Sequence, residues 1–267
     1  MKLSQCIDVV IVNYNSGQAL QTCIDSLKGS DVINITVVDN NSTDDSLTAV
    51  LDQSDDIEWI KNDSNVGFAT ACNQGAEHGK ADQIAFINPD CFIAANQLLQ
   101  LAQDLNAYPQ ASLIGCRVLN QDHTLQAATR RRLPTLWRVF THVSRLSVLP
   151  FIKGINIKDE GLFDQVVEVE AVNGACLMVN RTDFASVGGY DELYPLHFED
   201  LDLFTRLLKT GKKLIYQANI EAKHIQGNAE QSSRQIKQWK KQGLQRYFQK
   251  HRPSWEAKII TWMTHLK

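Results

Sequence analysis

The chain opens on two alternations between apolar runs and amphipathic stretches. "IDVVIVNYN" is an unbroken β-branched run closed by polar turn formers, the pattern of a strand buried on both faces. "SGQALQTCIDSLKGS" then places Leu20, Cys23, Ile24 and Leu27 at helical spacing, with Gly29 as a stop. "INITVVDNNSTDDSLTAVLDQ" repeats strand, polar cluster and helix, its Ser and Asp side chains suited to capping free N–H groups. "IEWIKND" predicts a third strand, "NVGFATACNQGAEHG" a glycine-hinged helix, and "DQIAFINPD" a fourth strand ended by Asn88-Pro89.

Strands alternating with helices predict right-handed crossovers and an α/β, Rossmann-like, mostly parallel sheet flanked by helices. Ligands in such sheets lie beyond the strands' carboxyl ends, where Asn13–Asn15, Asp39–Asn41 and Asn88–Asp90 all emerge. The middle of the chain holds three consecutive arginines, Arg130, Arg131 and Arg132, before Pro134 and an amphipathic helix bearing Trp137. A strand over "VVEVEAVNGACLMVN", a helix over "EDLDLFTRLLKTG" and a closing strand "KLIYQ", ending shortly before His224, complete the expected domain.

Composition narrows the function classes. With 267 residues the chain can bury one large core, and a net charge of −3 excludes a surface that grips nucleic acid all over. Six dispersed cysteines form no CxxC and no Cys/His ligand spacing, so reduced, mostly buried thiols are expected. The N-terminal apolar run is too short and interrupted for a signal peptide or membrane span, which places the protein in the cytoplasm. From Arg234 onward Lys and Arg are frequent and only Glu256 is acidic, while Trp255, Ile259, Trp262, Met263 and Leu266 share a helical face. Such a tail suits an anionic membrane surface, on the inner face of the cell membrane. The alternative is docking on the catalytic domain or on a second copy in a homodimer.

Singly, strand-tip Asp39 and Asp90 read as turn residues, and Glu199/Asp200 as an acidic helix start. As a set, "VIVNYNSGQALQTCIDSL", "ITVVDNNSTDDS", "NVGFATACNQG", "FINPD", "NGACLMVNRTDFASVGGYDE" and "FEDLDLFTRL" resemble glycosyltransferase family 2 with the GT-A fold, in its rhamnosyltransferase-type branch, over residues 6 to about 250. The resemblance implies a catalytic domain over 1–230, its nucleotide-binding half 1–119 and acceptor-binding half 120–230, with a helical tail over 231–267.

It further implies inverting transfer from a nucleotide-activated sugar. Asp90 matches the last acid of the metal motif, with Asn88 where many relatives have Asp, and His224 a late metal-ligand position. Hard oxygen ligands favour Mg²⁺ or Mn²⁺. Tyr14, Asn15, Asp39, Asn41, Asn65, Gly67 and Asn88 fall on the sugar-nucleotide pocket, with Asp39 reading the nucleoside and Tyr14 offering a stacking face. Asp200 matches the base that takes the acceptor's proton, with Glu199 its orienting neighbour and Asp202 a structural residue. The three arginines suit a diphosphate on the donor or on a lipid-linked acceptor. At branch level the implied donor is dTDP-L-rhamnose and the acceptor a saccharide, free or carried on polyprenyl diphosphate, in surface-polysaccharide assembly. A UDP-sugar donor, or a catalytically inactive sugar-nucleotide binder, are the rivals. A nucleotidyltransferase lacks its Gly-rich triphosphate loop here, and a dinucleotide oxidoreductase lacks GxGxxG after the first strand.

Overall fold

The computed structural model describes residues 6–47, 57–144, 154–157, 166–225 and 233–265. The helix expected after the second polar cluster falls largely on 48–56, and Leu266 on the terminus; both lie outside these residues. The first strand, β1 (Ile7–Asn13), runs parallel to β2 (Ile33–Asp39), which in turn pairs with β3 (Ile57–Lys61). On the other side β1 pairs with β4 (Gln83–Ile87), again in parallel. Between these strands run α1 (Gln18–Leu27) and α2 (Phe68–His78). Beyond Asp90 come β5 (Cys91–Phe92), α3 (Ala95–Ala107), β6 (Ala111–Leu119) and β7 (Arg130–Arg131), then α4 (Leu136–Val143).

The stretch expected to form one strand is three: β8 (Val166–Val169), β9 (Ala171–Val172) and β10 (Cys176–Asn180). Glu170 bends the chain after β8, and the Asn173–Ala175 turn reverses it before β10. That reversal lets β10 insert antiparallel between β4 and β6. Next come α5 (Arg181–Ser186), α6 (Glu199–Lys209) and β11 (Lys213–His224), then α7 (Ser233–His251) and α8 (Ser254–His265). On the far side β11 runs parallel to β6 and antiparallel to β5 and β8. The main sheet runs β3-β2-β1-β4-β10-β6-β11-β5, with β8 added on β11. β11 extends past the expected "KLIYQ" and includes His224; its register shifts between Gln217 and Glu221, so its first part pairs with β8 and its end with β5.

Strand periodicity divides the core in two. Ile7, Val9 and Ile11 point to one face, where α1 and α3 contribute Leu20, Ile24, Leu98 and Leu101. Val10 and Val12 point to the other, where Cys72, Phe204, Leu207, Tyr247, Phe248 and Ile260 pack. The tail helices are therefore part of this second core. Tyr247 shares a hydroxyl hydrogen bond with Thr205 at 2.8 Å. Asp202, fully buried, is gripped by Arg206, Lys250 and His251 at 2.7–2.8 Å. Burial alone would raise this carboxyl, but the three partners hold it far below the ordinary range.

Candidate functional site

The carboxyl ends of β1, β2 and β4 converge as the sequence predicts, and the register sets Asn13 beside Asp39. Asn13 is buried and its amide donates to Asp39 Oδ1 at 2.9 Å. The Ser42 hydroxyl also donates to Oδ1, at 2.6 Å, and the Ser42 backbone N–H donates to Oδ2. Asp39 thus organises its own turn, as a strand-tip Asp ordinarily does. Asn15 and Asn41 both take left-handed backbone, at φ 52° and 64°, which Asn tolerates better than most side chains. Asn15 Oδ1 accepts from the Thr43 N–H at 2.8 Å, which joins the two turns. Tyr14 is exposed at the rim. Asn65 accepts from the Gly67 N–H at 3.0 Å, and Gly67, at φ 91°, turns the chain into α2.

The second group is built on β5 and β11. His224 pairs with Cys91 across the antiparallel ladder, so the residue before Cys91, Asp90, comes to its side. His224 Nε2 lies 3.1 Å from Asp90 Oδ1. A relay of amides fixes which ring nitrogen carries the proton. The Ala175 N–H donates to Asn173 Oδ1 at 2.9 Å, so the Asn173 amide N–H₂ faces Gln126 Oε1 at 3.1 Å. Gln126 Oε1 is therefore an acceptor, and it meets His224 Nδ1 at 3.3 Å, while Gln126 Nε2 donates to the His224 carbonyl. In the neutral ring Nδ1 holds the hydrogen and Nε2 presents a lone pair to a carboxylate oxygen. Two acceptors facing each other call for a cation or proton between them, and the donor set fits a divalent metal. Among the described residues no third His, Cys, Asp or Glu joins them. Asn88 shapes this turn by its backbone, donating to the Ala175 carbonyl and accepting from the Cys91 N–H at 2.9 Å each.

The third group opens α6. His197 and Phe198, both non-glycine, sit in left-handed backbone at φ 68° and 73° immediately before Glu199 and Asp200. Strain of this kind persists only where surroundings enforce it. Here α7 does so: a Cβ added at Gly243 would stand 2.7 Å from the His197 carbonyl and 2.9 Å from the Phe198 ring. The two carboxyls then face different environments. Glu199 is buried, its Oε2 has no partner among the described residues, and burial together with the Asp200 charge raises it to about 8. Asp200 is more open; Arg131 Nη2 donates to its Oδ2 and to the Val172 carbonyl. Burial holds neighbouring His197 down at about 4, so it contributes no charge at neutral pH.

One turn connects the two acidic centres. Asn173 steers His224, while its neighbour Gly174 lies so near Asp200 that an added Cβ would meet Oδ2 at 3.1 Å. The arginines expected to act together as a diphosphate clamp are separated. Arg130 is buried and stacked 5.4 Å from the Tyr216 ring centre, and Arg132 donates to the Gly154 carbonyl at 3.2 Å. β7 alternates its side chains between faces, and Arg131 is the one of the three that contacts Asp200 among the described residues. Gln126 and Asn173 carry no sequence signal for their steering role beyond the "NG" turn, because only the folded sheet brings them to His224.

A mixed sheet whose parallel flank β3-β2-β1-β4 meets the antiparallel β10, flanked by helices and edged with acidic side chains, is the GT-A architecture. Residues 8–167 match the model of the family described as Glycosyl transferase family 2, and the chain belongs to that family. It is 27% identical over 236 residues to an N-acetylglucosaminyl-diphospho-decaprenol L-rhamnosyltransferase of Mycobacterium tuberculosis, covering 83% of this chain and 76% of that protein. It is 28% identical to the rhamnosyltransferase WbbL of Escherichia coli over 54% of this chain and 52% of WbbL. Among solved structures, a mannosyltransferase of Pyrobaculum calidifontis, in complex with GDP-Man and Mn²⁺, superimposes with a TM-score of 0.64 at 16% identity, over 97% of this chain and 69% of that one. GalNAc-T7 with UDP, GalNAc and Mn²⁺ gives 0.67 at 17% identity, over 90% and 48%.

Proposed function

We propose that the chain is an inverting, metal-dependent rhamnosyltransferase. It takes L-rhamnose from dTDP-L-rhamnose and places it on a saccharide carried by polyprenyl diphosphate, a step of surface-polysaccharide assembly. The observation that carries this reading is the division of labour among the acids: Asp90 with His224 on one side of the Val172–Ala175 turn, and Asp200 on the other. The rhamnosyl donor and the lipid-linked acceptor are supported by the names of the similar relatives, an N-acetylglucosaminyl-diphospho-decaprenol L-rhamnosyltransferase and the rhamnosyltransferase WbbL.

In this reading Asp39 and Tyr14 hold the nucleoside, with Asn15, Asn41, Asn65, Gly67 and Asn88 lining its pocket. Asp90 and His224 hold a divalent cation, Mg²⁺ or Mn²⁺, whose positive charge offsets the charge developing on the leaving diphosphate. Two protein ligands suffice because such ions are completed by substrate phosphates and water. Gln126 and Asn173 keep His224 in the tautomer that offers Nε2. Asp200 accepts the proton of the acceptor hydroxyl as that oxygen attacks the anomeric carbon from the face opposite the leaving group, which inverts the configuration. Arg131 orients the base through Oδ2, and each carboxylate oxygen retains a lone pair for the incoming proton. Glu199, neutral at pH 7, stands beside the base without adding a second negative charge.

Calorimetric titration with dTDP-, UDP- and GDP-sugars, each with Mg²⁺, Mn²⁺ or EDTA, tests the donor half. Binding of dTDP-rhamnose that EDTA abolishes is expected. Preference for a UDP-sugar would discard rhamnose, and binding indifferent to EDTA would remove the metal from the account.

A further inference from the structure

Two segments more than a hundred residues apart in sequence build one outward apolar surface. α8 docks on the domain through Ala257 and Ile260 and turns its other side to solvent. On that side Trp255, Ile259 and Trp262 are 57%, 37% and 63% exposed. Beside it α4 presents Trp137, Phe140 and Val143, exposed by 60%, 44% and 47%, with the Trp137 and Phe140 rings stacked at 5.8 Å. Between the two helices runs an open groove of about 480 Å³ lined by Leu136, Trp137, Phe140, Trp255, Ile259 and Met263, together with Thr135 and the Arg252–Glu256 ion pair. A soluble protein rarely leaves so many large apolar side chains together without a partner.

The charge around the surface selects the partner. Lys258 lies within the stripe, three residues from Trp255 and four from Trp262, so all three share a helix face. Residues 234–265 carry eight Lys or Arg and one acid, Glu256. Glu256 is buried and neutralised by Arg252 through two hydrogen bonds of 2.8 and 2.9 Å. α4 has no acid in its eight residues. Exposed indoles with a cation set among them, and no negative charge on either stripe, match the interface of an anionic bilayer.

We infer that α4 and α8 together form a membrane-docking face, in which Trp137, Phe140, Trp255 and Trp262 enter the headgroup region and Lys258 meets anionic lipid. α4 begins five residues after Arg131, the arginine that touches Asp200, so the face follows it closely along the chain. The inference is independent of which sugar is transferred.

Co-sedimentation of the full chain with phosphatidylglycerol-containing vesicles and with pure phosphatidylcholine vesicles tests it, at low and high salt. The wild type is expected to bind the anionic vesicles preferentially and to release them as salt rises. The triple substitution Trp137→Ser, Trp255→Ser, Trp262→Ser should weaken binding more than about tenfold, and Lys258→Glu at least about fivefold. Calorimetry with the nucleotide donor checks that the variants remain folded. The inference is overturned if the wild type does not bind anionic vesicles, or if neither variant changes its binding. It is equally overturned if light scattering shows a dimer that the tryptophan substitutions dissolve while vesicle binding persists.

Discussion

Replacing Glu199 by glutamine removes a titrating proton from a buried position while keeping the side chain's shape. Burial, and then the charge on Asp200, raise Glu199 from 4.5 to about 8. Between those values the folded protein holds a proton that the unfolded chain has released. This contribution to stability is fully present below the unfolded value and is lost as pH rises toward 8. Each pH unit in that window costs about 1.4 kcal/mol, so the whole span is on the order of 5 kcal/mol as a ceiling. Glu199→Gln stays neutral at every pH, and its Nε can bond no worse than an Oε2 that has no partner among the described residues. The variant should match the wild type near pH 5 and become progressively more stable than it toward pH 8, by about 1.4 kcal/mol per unit. Urea unfolding of both proteins at a series of pH values measures this difference, which reports Glu199 together with its interaction with the Asp200 charge. A difference that stays constant across the series would show that Glu199 is ionised in the folded protein, and the assignment of a neutral neighbour to Asp200 would fall. The same variant should retain most of its transferase turnover at neutral pH.

Three further outcomes follow from the site. Asp200→Asn should lower turnover by about 10²–10⁴-fold with donor affinity unchanged, read by steady-state kinetics beside calorimetry; loss of donor affinity instead would place Asp200 in the donor pocket. Asp90→Ala should weaken donor binding at least about tenfold and leave what remains insensitive to EDTA, whereas near-normal binding would return Asp90 to the role of a turn residue. Gly243→Ala forces a methyl against the His197 carbonyl and the Phe198 ring and should cost about 1–3 kcal/mol in urea unfolding. Because those residues set the start of α6, turnover should fall with donor affinity intact; a variant as active and stable as wild type would mean that α7 does not brace the acidic pair.

The parts of the fold that rest on local pattern were legible from residues alone. The β-branched runs of β1, β2 and β4 announce buried parallel strands, and their polar tips mark the edge where Asp39 and Asp90 emerge. What was not legible depends on pairing over distance. The antiparallel entry of β10 follows from the turn at Asn173–Ala175; the Asn173-Gly174 pair signals a turn, but not that the strand after it inserts between β4 and β6. The approach of His224 to Asp90 comes from the β5–β11 ladder, two strands more than a hundred residues apart. Asp39 turned out to be held largely by its own turn through Ser42, and Arg130 to be buried against Tyr216, both consequences of side-chain direction that spacing does not reveal. The tail's apolar spacing identified the Trp face. It could not show that the opposite face, through Ala257 and Ile260, joins the core.

The most direct test of the account is a transfer assay by mass spectrometry, with dTDP-L-rhamnose, Mg²⁺ and a polyprenyl-diphosphate-linked N-acetylglucosamine acceptor. Wild type is expected to add one deoxyhexose to the acceptor, EDTA to stop the reaction, and Asp200→Asn to yield no product on the same timescale. An acceptor left unmodified by wild type while a different nucleotide sugar is consumed would contradict the donor assignment. Equal product from wild type and Asp200→Asn would contradict the mechanism itself.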